Sequence, residues 1–172
     1  MDIFVEHIVK HKRGIKENLI AAGAILGAFI LGFFILGFSL STNFAQIGLL
    51  LVAGVFYAAY KIAAFTNVEY EYILTNNELD IDKIMARTRR KRIMTIDFKS
   101  IEICAPVDDP NYKHDLENTS VTNNYDFSGQ GYNPAYFIIC DGEKGRMRII
   151  FEPTEKMIEN ASKFNPRKVI KK

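Results

Sequence analysis

Residues Leu19–Leu40 read LIAAGAILGAFILGFFILGFSL, and residues Ala45–Phe65 read AQIGLLLVAGVFYAAYKIAAF. The first run has no charged residue, and the second has only Lys61, near its end. At about 1.5 Å of rise per residue, each run makes a helix roughly 30 Å long, the thickness of a bilayer's hydrocarbon core. A helix in a soluble core is rarely apolar on every face over that length. The connection Ser41-Thr42-Asn43-Phe44 is so short that the two helices must be antiparallel neighbours. The pair predicts a transmembrane hairpin. The first run is too long for the apolar region of a cleaved signal peptide and is followed by no clear Ala-x-Ala-like site, so it reads as an uncleaved anchor.

The flanking charges predict an orientation. Lys10, Lys12, Arg13 and Lys16 precede the first span, the interhelical connection carries no charge, and Lys61 ends the second span on the N-terminal side. The positive-inside rule then places both termini in the cytoplasm, with the chain crossing the membrane twice. Tyr57 and Tyr60 fit an interfacial aromatic belt. Gly23, Gly27, Gly48 and Gly54 let helix backbones approach closely. Two readings are open: these residues pack the hairpin's helices on each other, or Gly23 and Gly27 form a homo-oligomer contact. Apart from Lys61 the spans hold no ionisable group, which speaks against a transporter or channel acting alone.

Residues 1–18 read as an amphipathic juxtamembrane helix, with Ile3, Phe4, Ile8 and Ile15 on one side and a break or bend at Gly14. It lies in the membrane interface, or it is an orientation-setting flank. His7 and His11 are four apart, but without a nearby Cys or carboxylate they read as polar interfacial groups, not metal ligands.

From residue 66 onward the pattern changes to period two. Tyr70, Tyr72 and Leu74 alternate with Glu69 and Glu71; Asn76-Asn77 is a turn signal; Leu79 and Ile81 alternate with Glu78, Asp80 and Asp82. Arg87–Arg92 reads as a basic turn, Ile93–Ile96 and Glu102–Ala105 as strands, and Phe98–Ile101 as a short helical turn. Asp108–Asn133, rich in Asn, Asp, Ser, Thr and Gly, reads as a mobile excursion or a binding loop. Ala135–Cys140 and Arg146–Phe151 make a hairpin around Asp141–Gly145. Pro153-Thr154 opens a helix over 154–164, with Met157, Ile158, Ala161 and Phe164 on one stripe, ended by Asn165-Pro166 and followed by a basic tail. The expected fold is thus a transmembrane α-hairpin (19–40, 45–65) followed by an α+β soluble domain (66–172). That domain is an antiparallel β-sandwich or partly open barrel with a C-terminal helix.

The run Glu71–Leu79, a strand, a turn and a second strand just after an apolar hairpin, resembles the opening of bacterial pleckstrin-homology-like membrane proteins. These carry Y-x-[IL]-T-x-x-x-[IL], matched here by Tyr72–Leu79, then a basic turn (Arg87–Arg92), then a strand into a short helix (Thr95–Ile101). Thr154–Phe164 matches their closing helix. The layout is also similar to that of small two-span membrane proteins from Gram-positive anaerobes. The chain departs from the pattern in its long polar loop, Val107–Asn133. The resemblance implies a PH-like fold (pleckstrin-homology-like), a membrane location and a module that binds or scaffolds without catalysing.

For chemistry, the basic stretch Arg87, Arg89, Arg90, Lys91 and Arg92 stands out. It faces anionic lipid headgroups, meets an acidic protein partner, or is a solvated turn. Net charge is only +2, and the 17 Lys and Arg from residue 66 onward balance 17 Asp and Glu, so nucleic acid is not an expected partner. Asp108, Asp109, Asp115 and Glu117 fit no cation-binding loop, and Gly129-Gln130-Gly131 is too weak for a phosphate loop. Cys104 and Cys140 read as two buried reduced thiols. No cofactor, metal or catalytic residue is expected. The expected role is a non-catalytic membrane-anchored binding or scaffolding module. The alternative is an auxiliary subunit that joins a larger complex of membrane proteins through its hairpin.

Overall fold

In the computed structural model, FVEHIVK forms a strand (β1, Phe4–Lys10), not the amphipathic helix read from residues 1–18. Val5, His7 and Val9 turn inward, while Phe4, Glu6, Ile8 and Lys10 are exposed. That is period two, with β-branched residues suited to a pleated surface. β1 pairs antiparallel with β2 (Val68–Thr75), from Phe4↔Thr75 to Lys10↔Glu69. The strand before the hairpin and the strand after it are therefore neighbours, and the hairpin is the β1–β2 connection. Tertiary pairing overrides the helical spacing of Ile3, Phe4 and Ile8.

The described residues are 3–42, 44–129, 131, 133–142 and 145–172. Asn43 of the interhelical connection, Gln130 of the Gly-rich triplet and the Glu143-Lys144 tip of the last hairpin lie outside them. The chain forms two compact units.

The first unit comprises Met1–Lys12, Glu69–Ile84 and Arg90–Lys172. It holds two four-stranded sheets. One has the order β1-β2-β3-β4, with β3 at Glu78–Met85 and β4 at Arg89–Asp97. The other has the order β5-β7-β8-β6, with β5 at Ile103–Pro106, β6 at Asn123–Asp126, β7 at Tyr136–Gly142 and β8 at Gly145–Phe151. Tyr72, Leu74, Leu79, Ile81, Ile138, Ile149 and Phe151 form the buried interior. Asn76 adopts φ 54° at the β2–β3 turn, a left-handed conformation that Asn tolerates well. Its side chain accepts from Ile3 N (3.0 Å) and its N–H donates to Ile3 O (2.9 Å), fixing the start of β1.

Residues 108–133 are not a bare excursion. Asp109 caps a 3-10 turn at Pro110–Tyr112 that leads into one helical turn, α3 (Lys113–Leu116). The two helices of the hairpin, α1 (Ile15–Ser41) and α2 (Ala45–Phe65), precede it in the chain. Tyr112 and Leu116 pack against a cluster of Ala105, Phe137 and Ile139. β6 then joins β8 in parallel. The polar composition hid these few apolar anchors. Residues 98–100 form a turn, not a helix. The closing helix (α4, Glu155–Phe164) is as expected, with Thr154 as cap and Met157, Ile158 and Ala161 buried. The basic tail is not free: Cys104 N donates to Lys168 O (2.7 Å) and Ile170 N to Cys104 O (2.8 Å), placing the tail along the outer edge of β5.

The second unit comprises Arg13–Val68 and Met85–Arg89. α1 (Ile15–Ser41) begins after Gly14 and so starts before the apolar run at Leu19. α2 is Ala45–Phe65. Both are long and apolar enough to cross a membrane. The β3–β4 turn belongs to this unit, with Ala86 N donating to Asn67 O (3.0 Å).

If β1 belongs to the first sheet, replacing residues 11–68 by Asn-Gly, a turn suited to a two-residue hairpin, should leave a soluble, folded β domain. Residues 66–172 alone, lacking β1, should aggregate. Amide dispersion and light scattering check both; equal folding of the two chains would show that β1 is dispensable.

Candidate functional site

Three arrangements hold the residues that carry charge or unusual burial. The first is the open end of the hairpin. Arg13 Nη2 donates to Ala63 O at 3.3 Å, tying the start of α1 to the end of α2. The Arg89 guanidinium lies 5.5 Å over the Phe65 ring, and the Lys61 ammonium 5.4 Å from the Tyr57 ring. Ala86 and Arg87 both have left-handed φ (51° and 57°), which tightens the turn that carries Arg87 and Arg89. Arg13, Lys16, Arg87 and Arg89 thus belong to the same unit as the hairpin, whose other end carries no charged residue in its connecting segment.

The hairpin's glycines divide. A Cβ on Gly48 would collide with Ser39, so Gly48 is a point of close helix approach. A Cβ on Gly32 would make only ordinary contact with Phe56 (3.4 Å) and Val52 (3.7 Å). A Cβ on Gly23, Gly27 or Gly54 would meet nothing within 4 Å. Packing within the hairpin therefore uses Gly48 but not Gly23, Gly27 or Gly54, which point away from the partner helix.

The second arrangement is a charged ladder on the outer face of the first sheet. The stretch read as a basic turn is mostly strand: the turn spans residues 86–88, and Arg89–Arg92 open β4. Arg90 Nη2 lies 2.6 Å from Glu71 Oε1 on β2. Arg92 is shared between Asp80 (2.9 Å) and Asp82 (3.1 Å) on β3. Thr95 Oγ1 also donates to Asp80, at 2.5 Å. Glu71 is fully buried, and its Oε2 has no hydrogen-bond partner. Burial, then the neighbouring Glu6 carboxyl, push the Glu71 carboxyl up to about 6, against the pull of Arg90. The signal was present in the sequence: acidic residues at Glu69, Glu71, Asp80 and Asp82 and basic residues at Arg90 and Arg92 all recur with period two.

The third is a buried polar knot between β1 and the described residues Phe127, Ser128, Gly129, Gly131 and Asn133. Tyr72 Oη donates to Phe127 O (2.7 Å) and accepts from Glu152 N (3.3 Å). The Glu152 carboxylate accepts from Gly129 N (2.9 Å) and Gly131 N (3.0 Å). His7 Nε2 accepts from the Asn133 amide (3.0 Å), and His11 Nδ1 donates to Ser128 O (2.9 Å). Burial holds His7 below its ordinary value, although the Glu152 carboxylate pulls the other way. A Cβ on Gly129 would come within 2.9 Å of both Lys10 O and Val9 Cβ, so this segment lies against β1 only because it carries no side chain there.

The remaining acidic residues do local work. Asp108 pairs with Lys172, Asp109 caps the 3-10 turn, and Glu117 meets Lys113 at 3.7 Å. Cys104 and Cys140 are both buried and free, and burial pushes the Cys140 thiol up to about 11. Among the described residues, no group of three His, Cys, Asp or Glu is placed to hold a metal.

Two sheets closed by a C-terminal helix define a PH-like domain. The chain belongs to the family described as "Bacterial PH-like domain (DUF6106)", whose model matches residues 1–171. That match takes in β1 and the hairpin as well as the later strands. No curated protein and no solved structure matches the chain.

The raised Glu71 carboxyl has a stability consequence. Between about pH 4.5 and 6 the folded protein holds a proton that the unfolded chain has released, so this group favours folding at low pH and its contribution is lost as pH rises. At roughly 1.4 kcal/mol per pKa unit, about 2 kcal/mol is at stake. Glu71→Gln should flatten that part of the pH–stability curve relative to the parent. Parallel curves from thermal unfolding in detergent would refute the assignment.

Proposed function

We propose that this protein is a non-catalytic module of the bacterial inner membrane, anchored by its hairpin, that presents a PH-like domain at the cytoplasmic face. The observation that carries this reading is the β1–β2 pairing on either side of the hairpin. Two apolar spans inserted between adjacent strands of one sheet must leave and re-enter the same compartment, because β1 and β2 cannot pair across a bilayer. The cationic residues Arg13, Lys16, Arg87 and Arg89, in one unit with the hairpin, support that orientation. Near an anionic leaflet each contributes about 1 kcal/mol. Phe65 and Tyr57, in contact with Arg89 and Lys61, suit the headgroup layer, where aromatic rings and basic side chains settle together. Anionic lipid headgroups are therefore the first ligand class. Within the basic stretch we assign Arg87 and Arg89, which belong to the hairpin's unit, to that contact; Arg90 and Arg92 pair with carboxylates of their own sheet. Binding and scaffolding fit a domain whose buried polar groups are engaged in holding strands together.

Cysteine accessibility tests the orientation. With Thr42→Cys, a membrane-impermeant maleimide added to intact cells should label the protein. With Lys99→Cys it should label only after permeabilisation; Cys104 and Cys140 are buried and stay silent in both. The reverse pattern would overturn the proposed topology.

A further inference from the structure

β4 is an edge strand of the first sheet, and no backbone or side-chain partner occupies its outer side over residues 90–96 among the described residues. The corresponding edge of the second sheet is treated differently: the tail at Lys168–Ile170 lies along β5 and hydrogen-bonds to Cys104. We propose that the open edge of β4 is a docking site for an extended acidic segment of a partner protein, which adds as a fifth strand to the first sheet.

An unpaired edge is a row of backbone donors and acceptors ready for another strand, and proteins usually blunt it with charge, proline or a short length. β4 has nine residues and no proline. Its basic residues are confined to the first half, and the only other charge is Asp97 at its last position. Of the basic residues, Arg90 and Arg92 are drawn across the sheet face to Glu71, Asp80 and Asp82, leaving Lys91 without a partner among the described residues. The second half, Ile93-Met94-Thr95-Ile96, is β-prone and uncharged, and Ile93 is exposed. Nothing in that half blocks an incoming strand.

The charge order across the sheet selects the occupant. Glu71 lies on β2, Asp80 and Asp82 on β3, and Arg90 and Arg92 on β4, so the outermost strand is the positive one. A strand added about 4.8 Å outside β4 meets the cations first and is one strand further from the carboxylates. Acidic residues opposite Arg90–Arg92 continue the alternation, and apolar residues opposite Ile93–Ile96 continue the pairing. A second copy of this chain docking β4 on β4 antiparallel sets its cationic halves against the apolar halves and unpaired Lys91 against its own field, without supplying any counter-charge. Strand addition gives affinity through main-chain hydrogen bonds and selectivity through the flanking side chains.

The proposal does not depend on which way the hairpin crosses the membrane, and it is tested on the full-length protein in detergent micelles. The probe is a fluorescein-labelled peptide Thr-Val-Thr-Val-Glu-Val-Glu-Gly, compared with the same peptide N-methylated throughout. N-methylation keeps every side chain and removes the backbone donors. Fluorescence anisotropy should show saturable binding of the first peptide and at least tenfold weaker binding of the second. Lys91→Glu should weaken the first peptide several-fold with an unchanged unfolding temperature. Equal binding of the two peptides would mean charge attraction alone, and no binding of the first would mean a closed edge; either result overturns the proposal.

Discussion

Everything in this protein depends on one ladder, the seven-residue pairing of β1 with β2. It joins residues that lie on opposite sides of two long apolar helices. Closing so large a loop would ordinarily carry an entropic cost, but the hairpin removes most of it by packing α1 against α2 and bringing its own ends together. Gly48 against Ser39 and the ring pair Phe29–Phe56, centroids 5.1 Å apart, hold that packing, and Arg13 clasps Ala63 where the chain leaves the helices. The anchor and the domain are thereby one folding problem. The β domain takes its first strand from before the anchor and its second from after it.

The ladder also explains where the polar groups go. On its inner side His7 meets Asn133 and Tyr72 meets Phe127, and the Glu152 carboxylate gathers the Gly129 and Gly131 amides. A buried carboxylate satisfied by backbone N–H groups costs far less than an isolated one. On its outer side, Glu71 is buried and neighbours the Glu6 carboxyl, which is why its proton is held more tightly than usual despite Arg90. The basic stretch from Arg87 to Arg92 is accordingly two features. Arg87 and Arg89 belong with the hairpin, and Arg90 and Arg92 belong to the sheet.

The hairpin was legible in the sequence because it is apolar on every face, and the meander from Tyr70 to Ile81, the β7–β8 pair and the closing helix because each has an unambiguous period. β1 was not. Phe4, Val5, Ile8 and Val9 put apolar residues on both faces of a strand, and Ile3, Phe4 and Ile8 also satisfy helical spacing. Its partner lies beyond residues 11–68, where no local rule reaches. β6 was hidden for a different reason: Asn123-Asn124-Tyr125-Asp126 has little strand propensity, and its place is set by parallel pairing with β8 and by burial of Phe127. The fate of the basic stretch could have been read, since acids and bases at period two on successive strands pair across them. What no pattern disclosed was which glycines of the hairpin face inward, because Gly23, Gly27, Gly48 and Gly54 differ only in what lies opposite.

The central claim is that β1 and β2 are adjacent in this register. The most direct measurement is disulfide formation in the full-length protein carrying Phe4→Cys and Thr75→Cys, read by mass spectrometry after proteolysis. Efficient closure is expected at this pair, and little closure when Phe4→Cys is combined with Glu78→Cys or Lys99→Cys. Failure of Phe4→Cys and Thr75→Cys to join, or equal joining at all three positions, would contradict it.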